Sequence, residues 1–167
     1  SMFIKETDPD ILTLLYSCFS GINRVIENKT NLQSIVRPIF ENSFEALDKI
    51  KNRSTREIQS LATSLRALSI LINDDSKISL SKQIFKDFTE NKSLNYEPDI
   101  VSSAISITAH FGNTETFNNY LELMENAKTP QDEVRFQRAL VIFREESQIK
   151  KVYKLILEDK IRTQDAP

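Results

Sequence analysis

Apolar residues recur along this chain at steps of three and four, the spacing that places side chains on one face of an α-helix. Segments of this kind, joined by short polar links, predict eight helices. The predicted helices start at Asp8-Pro9, span 31–50, start at Ser54, span 76–90 and 98–112, start at Asn113 or Thr114, start at Thr129-Pro130, and span 147–158. Short links favour antiparallel packing of neighbouring helices.

Local chemistry marks several of the helix ends. Asp8 and Thr129 are good N-cap residues, and each precedes a proline suited to the first helical position. Ser54 and Glu57 have the spacing of a capping box, in which each side chain satisfies a free backbone N–H of the other residue. Gly112 is expected to end the fifth helix as a C′ glycine. Pro38 lies inside the second helix and is expected to kink or restart it.

The same periodicity predicts which side chains face inward. The fifth helix is apolar on nearly every side, which predicts burial between neighbouring helices. The residues expected to face inward elsewhere are Ile11, Leu15, Phe19, Ile22, Ile26, Ile35, Ile39, Leu47, Ile50, Ile58, Leu61, Leu65, Leu68, Ile72, Leu80, Ile84, Phe88, Phe117, Leu121, Met124, Val134, Phe136, Leu140, Phe143, Ile149, Val152, Tyr153 and Ile156.

A weak internal repeat accompanies the helix pattern. The segment from Arg66-Ala67-Leu68 to Leu71 resembles the segment from Arg138-Ala139-Leu140 to Phe143, and Ala104 lies midway between them. This period of helix pairs is typical of α-solenoids, in which a small side chain recurs where helices pack closely. Chance is the alternative, because alanine is common. We predict an all-α fold of antiparallel helical-hairpin repeats that form an α-α superhelix, as a single domain over residues 1–167.

The composition narrows the function classes. Two glycines among 167 residues argue against a sheet with many tight turns. A net charge of −2 with no basic cluster argues against nucleic-acid binding. We also predict no membrane segment and no signal peptide, since no apolar run approaches the length that spans a bilayer. The lone cysteine is typical of a reducing compartment, so a cytoplasmic location is expected.

The two reactive side chains that stand out have structural interpretations. His110 is the only histidine, so a zinc site with paired histidines cannot form within the chain, and a helix-capping role is expected. Cys18 has apolar neighbours and is expected to be a small buried side chain without catalytic function. We therefore predict no catalytic residue, no metal ligand and no cofactor in this chain. Carboxylates such as Glu41, Glu45 and Glu122 are expected to lie on solvated helix faces.

Three arginines are the weak candidates for peptide binding. Arg135, Arg138 and Arg144 recur on the predicted seventh helix and could hold a carboxylate through paired hydrogen bonds. Ordinary surface ion pairs with Glu133 or Glu145 are the favoured alternative, because such pairs are common and contribute little to stability.

Several segments together resemble a known family. They are Asp8-Pro9-Asp10, Phe111-Gly112, Lys128-Thr129-Pro130-Gln131-Asp132-Glu133, Arg138-Ala139-Leu140 and Ile161-Arg162-Thr163-Gln164-Asp165. In this spacing they are similar to the C-terminal domain of zinc aminopeptidases of the aminopeptidase N type. That family includes the puromycin-sensitive and endoplasmic-reticulum aminopeptidases and the tricorn-interacting factors. The resemblance covers nearly the whole chain.

The resemblance implies a HEAT- or armadillo-like domain that encloses the active-site chamber and contributes to peptide access and binding. It also implies that zinc and the catalytic glutamate belong to an earlier domain of the same polypeptide, and that peptides are the substrates. None of the family's functional residues matches a diagnostic motif here. A free-standing HEAT- or armadillo-like interaction scaffold is the alternative, with a regulatory helical bundle as a weaker rival.

The ends of the chain carry two further expectations. Ser1 before Met2 is typical of a residue left by tag removal, so residues 1–2 are interpreted as a cloning scar. Asp165 is placed to cap a ninth helix, so the chain is expected to be a fragment truncated before its last helices. A truncated solenoid exposes apolar surface, which predicts self-association through the eighth helix around Val152 and Ile156.

Overall fold

A computed structural model of the chain describes residues 3–90, 96–158 and 160–161. Within these ranges every regular element is an α-helix, which confirms the predicted all-α class of helical hairpins and the eight helices. None of the described helices is both long and apolar enough to cross a membrane. The helices are α1 (Pro9–Val25), α2 (Thr30–Asp48), α3 (Thr55–Ile70), α4 (Asp75–Thr89), α5 (Pro98–His110), α6 (Thr114–Glu125), α7 (Pro130–Leu140) and α8 (Glu146–Leu157).

The predicted caps begin the helices as expected. The Asp8 carboxylate accepts hydrogen bonds from the backbone N–H groups of Asp10 and Ile11 at the start of α1. Ser54 and Glu57 form the predicted capping box of α3, and the Thr129 side chain caps α7. These side chains satisfy N–H groups that have no partner within the helix, and for that reason the start positions could be found from sequence.

One prediction about a special backbone residue is tested in part and another is wrong. Helix α2 runs through Pro38 without a restart, and a kink at Pro38 stays a prediction. Helix α5 ends at His110 and not at Gly112, and Gly112 does not adopt the positive φ that a C′ glycine usually has, so its predicted capping role is wrong. Gly112 is instead required for close packing, because a Cβ atom there would lie 2.6 Å from Cε1 of Phe143.

The chain forms two compact units, unit 1 (residues 1–104) and unit 2 (residues 105–167). The boundary falls within α5, so its residues 98–104 belong to unit 1 and its residues 105–110 to unit 2. In unit 1, α3 packs against α1, α2 and α4. Its core combines aliphatic and phenylalanine side chains with buried serines, among them Ser43 and Ser64, which meet through a hydrogen bond of 3.1 Å between their hydroxyl oxygens.

Four aromatic rings contact one another within the core of unit 2. Phe143 makes edge-to-face contacts with Phe117 and Tyr120, at 5.1 and 5.3 Å between ring centroids, and Tyr120 contacts Phe136 at 5.5 Å. The Tyr120 hydroxyl donates a hydrogen bond of 2.7 Å to the carbonyl oxygen of Ile105. Burial raises the pKa of Tyr120, so the phenol remains protonated.

The repeating alanines occupy buried positions. Ala67 and Ala104 are fully buried in unit 1, and Ala139 is 1% exposed in unit 2. A methyl group at each position lets neighbouring backbone approach closely, which agrees with the interpretation that the repeat has a packing role.

Several residues that the periodicity predicts to face inward are exposed. Ile11 and Ile22 are exposed, and the buried face of α1 is centred on Leu12, one residue out of register. Cys18 is also exposed, because it lies away from that face, so its predicted burial is wrong. The other predicted inward residues that are exposed are Ile35, Leu80, Ile149 and Tyr153. Apolar residues are frequent enough on these helices to allow more than one register.

The surface predicted to mediate self-association also needs correction. Val152 is buried within unit 2 and Ile156 is half-buried. The apolar residues that α8 does expose are Ile149, Tyr153 and Leu157, which are spaced four residues apart on one face. Self-association itself stays a prediction. The predicted cap at Asp165 lies outside the described residues.

Candidate functional site

The three candidate arginines occupy different environments in unit 2. Arg135 on α7 donates a hydrogen bond of 2.7 Å to Asp132, one turn earlier, and its side chain is 23% exposed. Arg138 lies on the same helix and is exposed. Arg144 is also exposed but lies beyond the end of α7 at Leu140, so the prediction that all three share one helix is wrong.

The arginine pairing differs from the alternative considered from sequence. The partner of Arg135 is Asp132, whereas Glu133 accepts a hydrogen bond from Gln137 and Glu145 accepts one from Thr114. Arg138 and Arg144 make no ion pair with any carboxylate in the part of the chain that the structure describes. Their guanidinium groups are therefore the ones available to an external carboxylate.

His110 lies at the end of α5, as predicted, and its ring contacts Phe111 edge-to-face at 4.8 Å between centroids. This position near the helix C-terminus favours a cation. Cys18 belongs to unit 1 and His110 to unit 2.

The carboxylates show no arrangement suited to a metal. Among the residues with described positions, no group of three or more His, Cys, Asp or Glu side chains converges on one point. Glu45 and Glu122 are exposed and Glu41 is half-exposed beside Arg37, at 4.0 Å. Solvated carboxylates of this kind keep both oxygens hydrated and are poorly suited to acid–base catalysis, which requires a desolvated group.

The comparison with protein families decides the relationship. The family model described as "ERAP1-like C-terminal domain" matches residues 1–167, the whole chain. The chain belongs to this family. The resemblance seen in the sequence motifs is thereby confirmed. A search of the curated proteins found no match to the chain.

ERAP1-like C-terminal domains are non-catalytic C-terminal parts of aminopeptidases. The predicted relation to an aminopeptidase is confirmed at that level. The helical hairpins described above agree with the helical-repeat fold that the resemblance implies for such a domain.

Sequence reasoning missed one polar residue of interest, Arg66 of α3. In the sequence it stands out only as part of the repeat that it shares with Arg138. The two differ in surroundings, since Arg138 is exposed whereas Arg66 is half-buried and lines a groove. No local signal separates the two, because each arginine directly precedes a buried alanine.

Proposed function

We propose that this domain encloses the active-site chamber of a zinc-dependent aminopeptidase that removes N-terminal residues from peptides. In this proposal it controls peptide access and provides part of the peptide-binding wall, and the enzyme is cytoplasmic. The observation that carries the proposal is the family match over the whole chain. A free-standing scaffold is disfavoured by the same observation, since the family consists of parts of aminopeptidases.

Zinc would be held by the catalytic domain of the same polypeptide, where it would activate a water molecule for attack on the peptide carbonyl. The described residues of this chain offer no metal site. Their contribution would be electrostatic. Arg138 and Arg144 present exposed guanidinium groups to carboxylates of a bound peptide, whereas Arg135 is already engaged by Asp132.

The first experiment measures peptide binding to the 167-residue chain by fluorescence anisotropy at low salt. The double variant R138E/R144E is expected to weaken binding of a labelled acidic peptide by about tenfold or more. The matched control is K150E/K154E, which makes the same change of charge on α8, where both lysines face carboxylates one turn away. Equal weakening by both variants would reduce the effect to overall charge and would contradict a specific peptide-binding role.

A second experiment asks whether the domain governs access. In the full-length polypeptide that contains this chain, R138E/R144E is expected to raise KM for long peptides and to leave turnover of a single-residue aminoacyl reporter unchanged. A change in both substrates alike would contradict a role in access. The chain by itself is expected to hydrolyse no aminoacyl reporter, even with added zinc. Zinc-dependent turnover that a Cys18 or His110 substitution abolished would overturn the proposal.

A further inference from the structure

A polar groove opens in unit 1 between α1, α3 and the first turns of α5, with a volume of about 330 Å³. Its lining carries Asp10 and Thr13 from α1, Thr63 and Arg66 from α3, and Asp99 and Ser103 from α5. Binding pockets for small molecules begin at about this size. Every one of these side chains bears a hydrogen-bonding group, so the groove is suited to a small polar ligand.

Arg66 is the unusual member of this lining. One of its terminal nitrogens donates a hydrogen bond of 3.0 Å to the hydroxyl of Ser103, which is itself fully buried. Its Nε atom is buried and has no acceptor. A buried donor on a charged group loses the hydration that it has in water, so leaving it without an acceptor is costly.

The other partly buried arginines among the described residues have carboxylate partners. Arg53 is 14% exposed and lies 2.9 Å from Glu97, and Arg135 is 23% exposed and lies 2.7 Å from Asp132. No carboxylate of the described residues is within ion-pair distance of Arg66. Besides the N–H bound to Ser103, the guanidinium of Arg66 therefore has donors that no carboxylate of the described residues takes up.

The groove also holds an acidic group that is not committed to a partner. Asp10 is engaged by Arg56, at 3.0 Å. Asp99 in the first turn of α5 is exposed, and its carboxylate has no ion pair or hydrogen bond with the described part of the chain. One cationic and one anionic side chain thus line the same small groove without neutralising each other.

We propose that this groove binds a small zwitterion with the chemistry of a free α-amino acid. Its carboxylate accepts hydrogen bonds from Arg66, and its ammonium group pairs with Asp99. This site lies in unit 1 and depends on neither the arginines of unit 2 nor the proposed aminopeptidase role. If the groove binds no amino acid, the proposed aminopeptidase role is therefore unaffected. If the aminopeptidase role is refuted, the groove proposal is likewise unaffected.

The test is a titration of the ¹⁵N-labelled 167-residue chain with alanine, followed by two-dimensional NMR. N-acetylalanine lacks the ammonium group and alanine amide lacks the carboxylate, so the two probes separate the contributions. Alanine is expected to shift the resonances of α3 and α5 residues in the groove saturably, and each blocked probe is expected to bind about tenfold more weakly or worse. Equal binding of either blocked probe, or no saturable shift with alanine, would overturn the proposal.

Two variants with matched controls assign the roles. R66Q is expected to abolish binding and D99N to weaken it by about tenfold. The controls are R24Q and D75N, an exposed arginine in the last turn of α1 and an exposed aspartate in the first turn of α4, neither of which lines the groove. Unchanged binding in R66Q would refute the assignment. If R66Q does not fold, the two blocked probes on the unmodified chain decide the question.

Discussion

The two units of this chain solve the packing problem with different side chains. In unit 2 a cluster of large rings lies among the aliphatic core residues, and Phe117, Tyr120, Phe136 and Phe143 contact one another edge-to-face. Unit 1 places small hydroxyl side chains among its aliphatic residues. The buried serines in its described part are Ser43, Ser60, Ser64, Ser69, Ser81 and Ser103.

The difference affects which positions determine stability and which part of the chain can hold a polar binding site. Each ring of unit 2 buries a large apolar area and shares contacts with other rings, so its stability depends on a few positions. A buried serine is small enough for close helix approach, and its hydroxyl requires a hydrogen-bond partner. Ser60 donates to the carbonyl oxygen of Thr7 at 2.6 Å, and Ser103 accepts from Arg66. Unit 1 can therefore accommodate polar side chains beside its buried core, as it does in the groove.

The largest expected effect is that of truncating a central ring of unit 2. Phe143 is 2% exposed and contacts both Phe117 and Tyr120. F143A should lower the free energy of unfolding by about 3–5 kcal/mol, because it removes ring contacts and leaves a cavity. Chemical denaturation measures this, and Y153A on the exposed face of α8 is the control, with an expected change below about 0.5 kcal/mol. A small loss in F143A would show that unit 2 does not depend on its rings.

The next largest effect is expected from adding a methyl group to the same aromatic cluster, where F143A removes a ring. G112A places a methyl group 2.6 Å from Cε1 of Phe143 and 3.0 Å from a methyl of Thr116, and should cost about 1–3 kcal/mol of stability. Gly21 in α1 is the matched control, since a Cβ there meets nothing within 4 Å, and G21A should stabilise the helix by up to about 1 kcal/mol. In the F143A background the cost of G112A should largely disappear. An unchanged cost would argue against Phe143 as the source of the clash.

Gly112 and Leu12 illustrate what the sequence could and could not predict. Helix starts were found because Asp8, Ser54 and Thr129 act on backbone groups a few residues away. The buried face of α1 was misplaced by one position, because Ile11 and Leu12 are equally apolar and only the contacts with α2 and α3 decide between them. The need for glycine at position 112 depends on the ring of Phe143, which comes 31 positions later and which no local pattern specifies.

In the candidate sites, too, features set by neighbouring residues could be predicted and features set by tertiary contacts could not. The exposed positions of Arg138 and Arg144 agree with the polar side of the helical pattern, but the end of α7 before Arg144 was not foreseen. The groove in unit 1 could not be predicted, because Arg66 and Ser103 meet across 37 positions of sequence and hydroxyl residues are common. Tertiary packing brings such side chains together, whereas caps are set by neighbours along the chain.

A smaller effect is expected from the serine pair that joins α2 and α3. S64A leaves the buried hydroxyl of Ser43 without its partner and should cost about 1 kcal/mol, as should S43A. The double variant S43A/S64A should cost less than the sum of the two, since no hydroxyl is then left unpaired. A double-mutant cycle by chemical denaturation measures the coupling. Strict additivity would show that the hydrogen bond does not account for the buried serines.

The smallest effect concerns acid stability at the start of α1. The Arg56 guanidinium, 2.7 Å away, and the backbone N–H groups that Asp8 caps hold the pKa of the Asp8 carboxyl below its ordinary value of 3.8. Because the pKa is lower in the folded state, this stabilisation is fully present above about pH 4 and is lost as the pH falls through the folded pKa.

Comparison with D8N isolates this contribution, because asparagine still caps the helix but does not titrate. The stability difference between the unmodified chain and D8N should be largest at neutral pH and should shrink toward pH 3. The pKa values of Glu57 and Asp74 are also lowered by their own hydrogen bonds, so both proteins should still lose stability in acid. Denaturation midpoints at pH 7, 5 and 3 measure the difference. A difference that stayed constant with pH would mean that the charge of Asp8 adds no stability, either through its contact with Arg56 or through the backbone N–H groups that it caps.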